Sequence, residues 1–290
     1  MSVAGGLPFA IARARIHRCD TLQVFTKNAS QWRARPLPPE EIAAFTRAAQ
    51  ESGISPIVAH ASYLINLATI NPALRAQSIA ALGEEVDRAE ALGLLGVVLH
   101  PGARLTAPVD QAIALIASAL TQVLKDRPRG KTMILLEHTA GQGSTMGSSF
   151  EEVAAMLDGV KNTRRMGVCL DTCHLLASGY DLCTDQGYRS TFETFERLIG
   201  VDRLKVFHLN DSKKPCMSRV DRHEHIGKGC IGLEPFRRLL NDRRFAHLPM
   251  ILETEKTESR AGRVELDPLD DMNLTTLRSL LAKDKQEVRR

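Results

Sequence analysis

The chain has 290 residues, 43% hydrophobic and 25% charged, enough to bury a full core and compatible with two small domains or one α/β barrel. Only 4% of residues are aromatic and Trp32 is the single tryptophan, which excludes ring stacking as the main means of gripping a large ligand along the whole surface. A formal charge of +4 with a pI near 8.8 is mildly basic and gives weak support for a polyanionic partner, while the apolar runs fall far short of the roughly 18 residues a membrane span needs.

Six cysteines show no C-x2-C spacing, and no stretch reads as a secretory leader with an apolar core. A soluble, cytoplasmic protein with no membrane partner is expected, nucleoid-associated in a prokaryote. Cys169 and Cys173 lie in an apolar run and are read as packing residues without chemistry.

In chain order, the acid-free, Arg-containing stretch from Met1 to His17 is read as an ordinary first helix over Ile11–Ile16. Seven short β-type runs follow: LQVF ending near Thr26, PIVAH ending at His60, GVVLH ending at His100, TMILLEH, MGVCLDTCH, LKVFHLND and PMILETE. Helical spacing separates them, over Pro72–Leu92, Val109–Leu124, Phe150–Leu157, Tyr188–Ile199 and Pro235–Leu240. The β-type runs are nearly continuous in apolar residues, as expected of parallel strands covered on both faces. Repeated βα alternation in under 300 residues predicts an α/β fold, a TIM-like (β/α)8 barrel, with a doubly wound open sheet as runner-up. No linker divides the chain, so one domain over 1–290 is expected, with 281–290 as a frayed charged tail.

His60, His100, Glu137, Asp171, His208 and Glu253 each fall at or near the C-terminal end of a different apolar run, at spacings of 40, 37, 34, 37 and 45 residues. A lone His or Asp at a strand end is more often a cap or a hydrogen-bonded structural group. Six of them at about one βα unit apart would instead meet around one barrel mouth, where clustered carboxylates and desolvated imidazoles need a compensating cation. His174, three residues after Asp171, adds a donor beside it. In VDRHEHIG, Asp221, His223 and His225 recur with period two, so an extended backbone would point all three one way. More than one ion is implied. Imidazole mixed with carboxylate suits Zn²⁺, and a carboxylate-rich position also suits Mn²⁺.

The blocks HASYLINLA at 60, HPGA at 100, LLEHTAGQGSTMG at 135, GVCLDTCHLLASGYD at 167, FHLNDSK at 207, VDRHEHIGKG at 220 and ILETEK at 251 resemble the endonuclease IV family of apurinic/apyrimidinic endonucleases, in the xylose isomerase-like TIM barrel superfamily. The resemblance runs from about Ser2 to Lys256. It implies a three-zinc site in which His60 and His100 hold one ion, Glu137 bridges, Asp171, His208 and Glu253 hold the second, and His174, Asp221 and His223 hold the third. It excludes His225 as a ligand. It further implies incision of double-stranded DNA 5′ to an abasic site, leaving a 3′-hydroxyl and a 5′-deoxyribose phosphate, trimming of 3′-blocked ends, Glu137 as the catalytic carboxylate, and action as a monomer. Tyr63, Leu64, Asn28, Gln31 and Trp32 resemble the family's DNA-reading segments, against the plainer reading of loop packing.

Two departures stand beside the match. The chain opens on SVAGGL where family members run a strand into this turn, so the first barrel strand is expected to be missing, with open edges and part of the core exposed; the start then lies upstream or the chain is impaired. Ser30 in KNASQW stands where related proteins often carry a longer polar or basic side chain. The stretch GKGCIG at 227–232 matches a dinucleotide fingerprint but follows polar HEHI instead of a strand, so its glycines are read as letting the backbone pass close to the metal mouth or a phosphate. The rival functions are a sugar isomerase or epimerase on the same architecture, and an impaired binder of damaged DNA.

Overall fold

The structure is a computed structural model and describes residues 1–257 and 261–282. Seven parallel strands form one sheet in the order β1 (Leu22–Val24), β2 (Ile57–His60), β3 (Gly96–Leu99), β4 (Met133–Glu137), β5 (Met166–Asp171), β6 (Leu204–His208) and β9 (Met250–Ile251). A two-residue hairpin pair, β7 (Asp211–Ser212) and β8 (His223–Glu224), lies outside this sheet. Helices fill the crossovers that parallel strands require: α1 (Leu7–Ile16), α2 (Pro39–Ser52), α3 (Pro72–Ala91), α4 (Val109–Lys125), α5 (Phe150–Asp158), α6 (Thr172–Ser178), α7 (Asp185–Leu198), α8 (Leu233–Asn241) and α9 (Pro268–Ser279). The architecture is the expected α/β barrel with one stave fewer. The expected tail falls for the most part outside the described residues.

Local chemistry sets the helix ends. Asn71 accepts from Leu74 N (3.0 Å) ahead of α3, Ser149 accepts from Glu152 N (3.2 Å) ahead of α5, and α2 stops at Gly53 with φ 70°. The run MGVCLDTCH does not stay extended. Asp171 Oδ1 accepts from His174 N (3.1 Å) and caps α6, so the chain turns helical at Thr172. Of PMILETE only Met250–Ile251 pairs with the sheet, and α2, α6 and α9 lie outside the expected helical stretches.

Two apolar layers make the core. Between sheet and helices, α3, α4, α5 and α7 bury Leu82, Ile116, Phe150 and Phe192. Inside the barrel, Val58, Val98, Leu135, Cys169, Val206 and Ile251, one from each of β2, β3, β4, β5, β6 and β9, form a second cluster. Two residues further along the chain from each stand His60, His100, Glu137, Asp171, His208 and Glu253, with His100 and Glu253 just past the ends of β3 and β9. Strand period two therefore lifts every one of them onto the inward face, one layer above an apolar floor.

Among the described residues the sheet does not close, since β1 pairs only with β2 and β9 only with β6, in keeping with a missing strand. The expected opening of the core is corrected by the chain on either side of this seam. Leu22 and Val24 are 3% and 1% exposed. The Arg13 guanidinium donates to the carbonyls of Ser2 (2.9 Å), Ala4 (2.8 Å) and Arg263 (2.6 Å). That of Arg278, on α9, donates to those of His17 (2.8 Å) and Arg18 (2.7 Å), and the Met1 amino group donates to Gln23 O (2.6 Å). Guanidinium bonds to carbonyls thus tie the segment before β1 to the segment around α9 and cover the gap.

Candidate metal centre

All nine expected ligand residues meet at the C-terminal mouth of the barrel. Three adjoining groups have their donor atoms within 4.8 Å of one another: His60, His100 and Glu137; Glu137, Asp171, His208 and Glu253; and Asp171, His174 and His223. Asp221 joins the last, with its oxygens 3.2 Å from His174 Nε2 and 3.2 Å from His223 Nε2. Glu137, fully buried, stands at the centre. Its Oε2 faces His60 Nε2 (3.2 Å) and His100 Nε2 (3.1 Å), while its Oε1 faces His208 Nδ1 (3.1 Å) and His174 Nδ1 (3.3 Å). Asp171 Oδ2 lies between the second and third groups, 3.9 Å from His208 Nδ1 and 3.7 Å from His223 Nε2.

The imidazoles are held from behind. His60 Nδ1 donates to Ala61 O (2.7 Å), His174 Nδ1 to His138 O (2.9 Å) and His223 Nδ1 to Glu253 O (3.3 Å). Each bond ties Nδ1 and turns Nε2 toward the site, the nitrogen that a metal would take. His174 Nε2 and His223 Nε2 are buried without a hydrogen-bond partner, although an Asp221 oxygen stands 3.2 Å from each. Two buried nitrogens converging on one carboxylate without bonding to it fit a shared cation.

Electrostatics gives the same picture. Burial opposes the charge on Glu137, yet His100 and His208 hold its carboxyl well below the usual range. Glu253, likewise opposed by burial, is held at about 2, chiefly by His208. Burial lowers His174 and His223, but Asp171 and Asp221 outweigh it, leaving His174 well above its ordinary value and His223 at about 9. Carboxylates so acidic beside imidazoles so basic make a pocket that holds positive charge at neutral pH, whether as protons or as metal.

His225 does not join the site. Strand β8 ends at Glu224, and His225 Nδ1 instead accepts from Asn273 Nδ2 on α9 (3.0 Å), so the extended run that period two required is too short. Cys169 and Cys173 lie closer to the site than packing alone suggested, within 4.8 Å of donor atoms of Glu137 and His208 and of Asp221 and His223 respectively. Burial pushes both thiols up to about 12, so both stay neutral at pH 7.

The glycines of GKGCIG wrap a carboxylate. Buried Asp211 accepts from five backbone N–H groups: Ser212 (2.7 Å), Gly227 (2.9 Å), Gly229 (3.0 Å), Ile231 (2.8 Å) and Gly232 (3.3 Å). A Cβ on Gly229 would lie 2.4 Å from Ser212 O and 2.5 Å from Asp211 Oδ1, so only glycine fits there. This clamp fixes the β7–β8 pair that carries His223.

Two loops rim the mouth. Tyr63 is 63% exposed and its ring stands 5.5 Å from that of His60. Leu64 is half-buried, Asn28 and Gln31 are exposed, and Trp32 is half-buried and packs on the main core. A buried network joins the loops: Glu85 accepts from Thr26 Oγ1 (2.9 Å) and Ser62 N (3.2 Å), Ser62 Oγ donates to Ala29 O (2.6 Å), and Lys27 Nζ donates to Gln31 O (3.2 Å) and Trp32 O (3.0 Å).

A family model described as xylose isomerase-like TIM barrel matches residues 11–273. The chain is 47% identical over 281 residues to a probable endonuclease 4 of Chloroflexus aurantiacus, covering 97% of this chain and 96% of that one. It is 47% identical over 283 residues to a probable endonuclease 4 of Geobacter sulfurreducens, covering 98% and 93%. The chain belongs to the endonuclease IV family. The solved endonuclease IV of Thermus thermophilus superposes with a TM-score of 0.82 at 34% identity, covering 97% and 96%. A D-psicose 3-epimerase of Clostridium cellulolyticum superposes at 0.65 with 14% identity, covering 97% and 92%, which shows a shared barrel and nothing of activity. This endonuclease IV-type enzyme has, among the described residues, no helix long and apolar enough to cross a membrane.

Proposed function

We propose that this chain is a zinc-dependent endonuclease that hydrolyses the DNA phosphodiester 5′ to an abasic site in base excision repair. The observation that carries the reading is Glu137, whose Oε2 faces His60 and His100 while its Oε1 faces His208, as a bridging carboxylate must. His60 and His100 would hold one ion, Asp171, His208 and Glu253 the second, and His174, Asp221 and His223 the third. The donor set of five imidazoles and four carboxylates suits zinc, with manganese an alternative where carboxylates dominate. When bound, zinc supplies a Lewis acid that activates water and neutralises charge on phosphate oxygens.

The protein's own part is to hold that array rigid and to admit only the right phosphate. Glu137 orients the attacking water, and the products are a 3′-hydroxyl and a 5′-deoxyribose phosphate; 3′-blocked ends reach the same site. Tyr63 and Leu64, with Asn28 and Gln31 across the rim, contact the duplex where a base is missing and unstacking costs least; Trp32 anchors their loop. The protein acts as a monomer in the cytoplasm.

Purified protein incubated with a duplex carrying one tetrahydrofuran lesion is expected to cut 5′ to it. Binding without a cut would favour a damage-binding protein, and neither outcome would favour a sugar enzyme. Prolonged chelation is expected to abolish the cut and lower the melting temperature of the same sample, because nine ligand side chains lose their cations together; a stripped protein that melts and cuts as before would refute the metal. Replacing Tyr63 by Ala should reduce the preference for the lesion over intact duplex by about 1 to 3 kcal/mol, the worth of one stacked ring. Competition binding measures this, and unchanged discrimination removes Tyr63 from recognition.

A further inference from the structure

His60, His174 and His223 are anchored by backbone carbonyls, but His208 is anchored by a side chain. That side chain is Gln23 on β1, 6% exposed, in register with Val58 and so on the inward face. β1 and β9 are the two unpaired edges of the sheet, and Gln23 reaches across the seam between them. Its Nε2 donates to Glu253 Oε1 (2.5 Å), just beyond β9, and its Oε1 lies 2.9 Å from His208 Nε2 on β6.

The hydrogen-bond directions follow from the partners. An ionised carboxylate only accepts, so the amide nitrogen must face Glu253 and the amide oxygen must face His208. His208 Nε2 therefore carries a proton. Its other nitrogen, Nδ1, is the one turned into the site, 3.1 Å from Glu137 Oε1 and 3.0 Å from Glu253 Oε2. With Oε1 of Glu253 tied to Gln23, Oε2 is the oxygen left to coordinate.

We infer that Gln23 is a positioning residue for the second metal group: one amide selects the nitrogen of His208 and the oxygen of Glu253 that face the ion. The inference rests on reading that group as a metal site. It also gives the seam a function, because His208 lies on β6 and Glu253 just beyond β9, neither of which pairs with β1, and the Gln23 amide joins both to it. Sequence reasoning passes over the residue because a single glutamine inside LQVF looks like one polar position in a covered strand.

Zinc binding to the full chain tests this, by titrating stripped protein with zinc against a chelating indicator and counting bound zinc by elemental analysis. The unaltered protein is expected to hold three ions. Gln23→Met, of similar length and without either hydrogen bond, should hold one of them roughly 10- to 100-fold more weakly, while the stripped protein still folds cooperatively, with a melting temperature lowered by the two lost hydrogen bonds. Excess zinc should restore its incision. Three ions held equally tightly by Gln23→Met would overturn the role of Gln23 and leave the metal site standing; an unaltered protein that takes up no zinc would overturn both. Should the variant fail to fold, ¹⁵N spectra of histidine in the zinc-loaded, unaltered protein decide the matter: a slowly exchanging proton on His208 Nε2 supports the inference, and coordination through Nε2 ends it.

Discussion

Glu137→Gln is expected to cut the lesion substrate on the order of 10³-fold more slowly, while binding it within about threefold of the unaltered protein. The substitution keeps the shape of a fully buried side chain but replaces an oxygen that faces two imidazole nitrogens at 3.1 to 3.3 Å with an NH₂ group. An amide carries no charge to balance the cations it would bridge, and its donor nitrogen points at groups that are themselves donors or metal-bound. Duplex binding depends on the rim, with Tyr63 more than half exposed, and should survive. Single-turnover incision and gel-shift titration on one preparation separate the two effects. Near-normal turnover would falsify the bridging role.

Asp211→Ala is expected to produce the largest loss of stability, roughly 3 to 5 kcal/mol, as when one partner of a buried charged network is removed. Five backbone N–H groups lose their acceptor at once, in a loop where glycines leave little else to hold the conformation. Asp211→Asn should fall between, because one carbonyl oxygen can still accept from some of the five. Urea unfolding of the metal-loaded proteins reads the difference. A loss below about 1 kcal/mol, the net worth of a single ordinary hydrogen bond, would mean that the loop is held by its other contacts. The two residues differ in kind: Glu137 is proposed to serve chemistry, and Asp211 holds the backbone of the β7–β8 pair that carries His223.

Much of this is legible in the sequence. Strand period is two, so a donor two residues past an inward apolar residue must face inward as well, and the βα spacing brings such donors to one end. His60, His100, Glu137, Asp171, His208 and Glu253 could therefore be read from position alone. His225 could not, because its exclusion depends on where β8 stops and on Asn273 being there to receive it. The pairing of Asp221 with His174 is a contact between a strand-end helix and a distant loop, which no local pattern encodes.

Gln23 and the arginines over the seam escape sequence reasoning because their partners are distant in the chain. Gln23 is 185 residues from His208 and 230 from Glu253, and the cover over the barrel seam joins Arg13 to Arg263, 250 residues away. The sequence by itself determined the parallel barrel, the mouth at which the donors gather and the donor chemistry, since these follow from periodicity and residue type. Only the tertiary structure decided which nitrogen of each imidazole faces inward, that Asp211 and not a phosphate fills the glycine loop, and how an unclosed sheet is sealed. Those outcomes depend on the direction of individual hydrogen bonds between segments brought together only by folding, and hydrogen-bond direction is written in space, not in order along the chain.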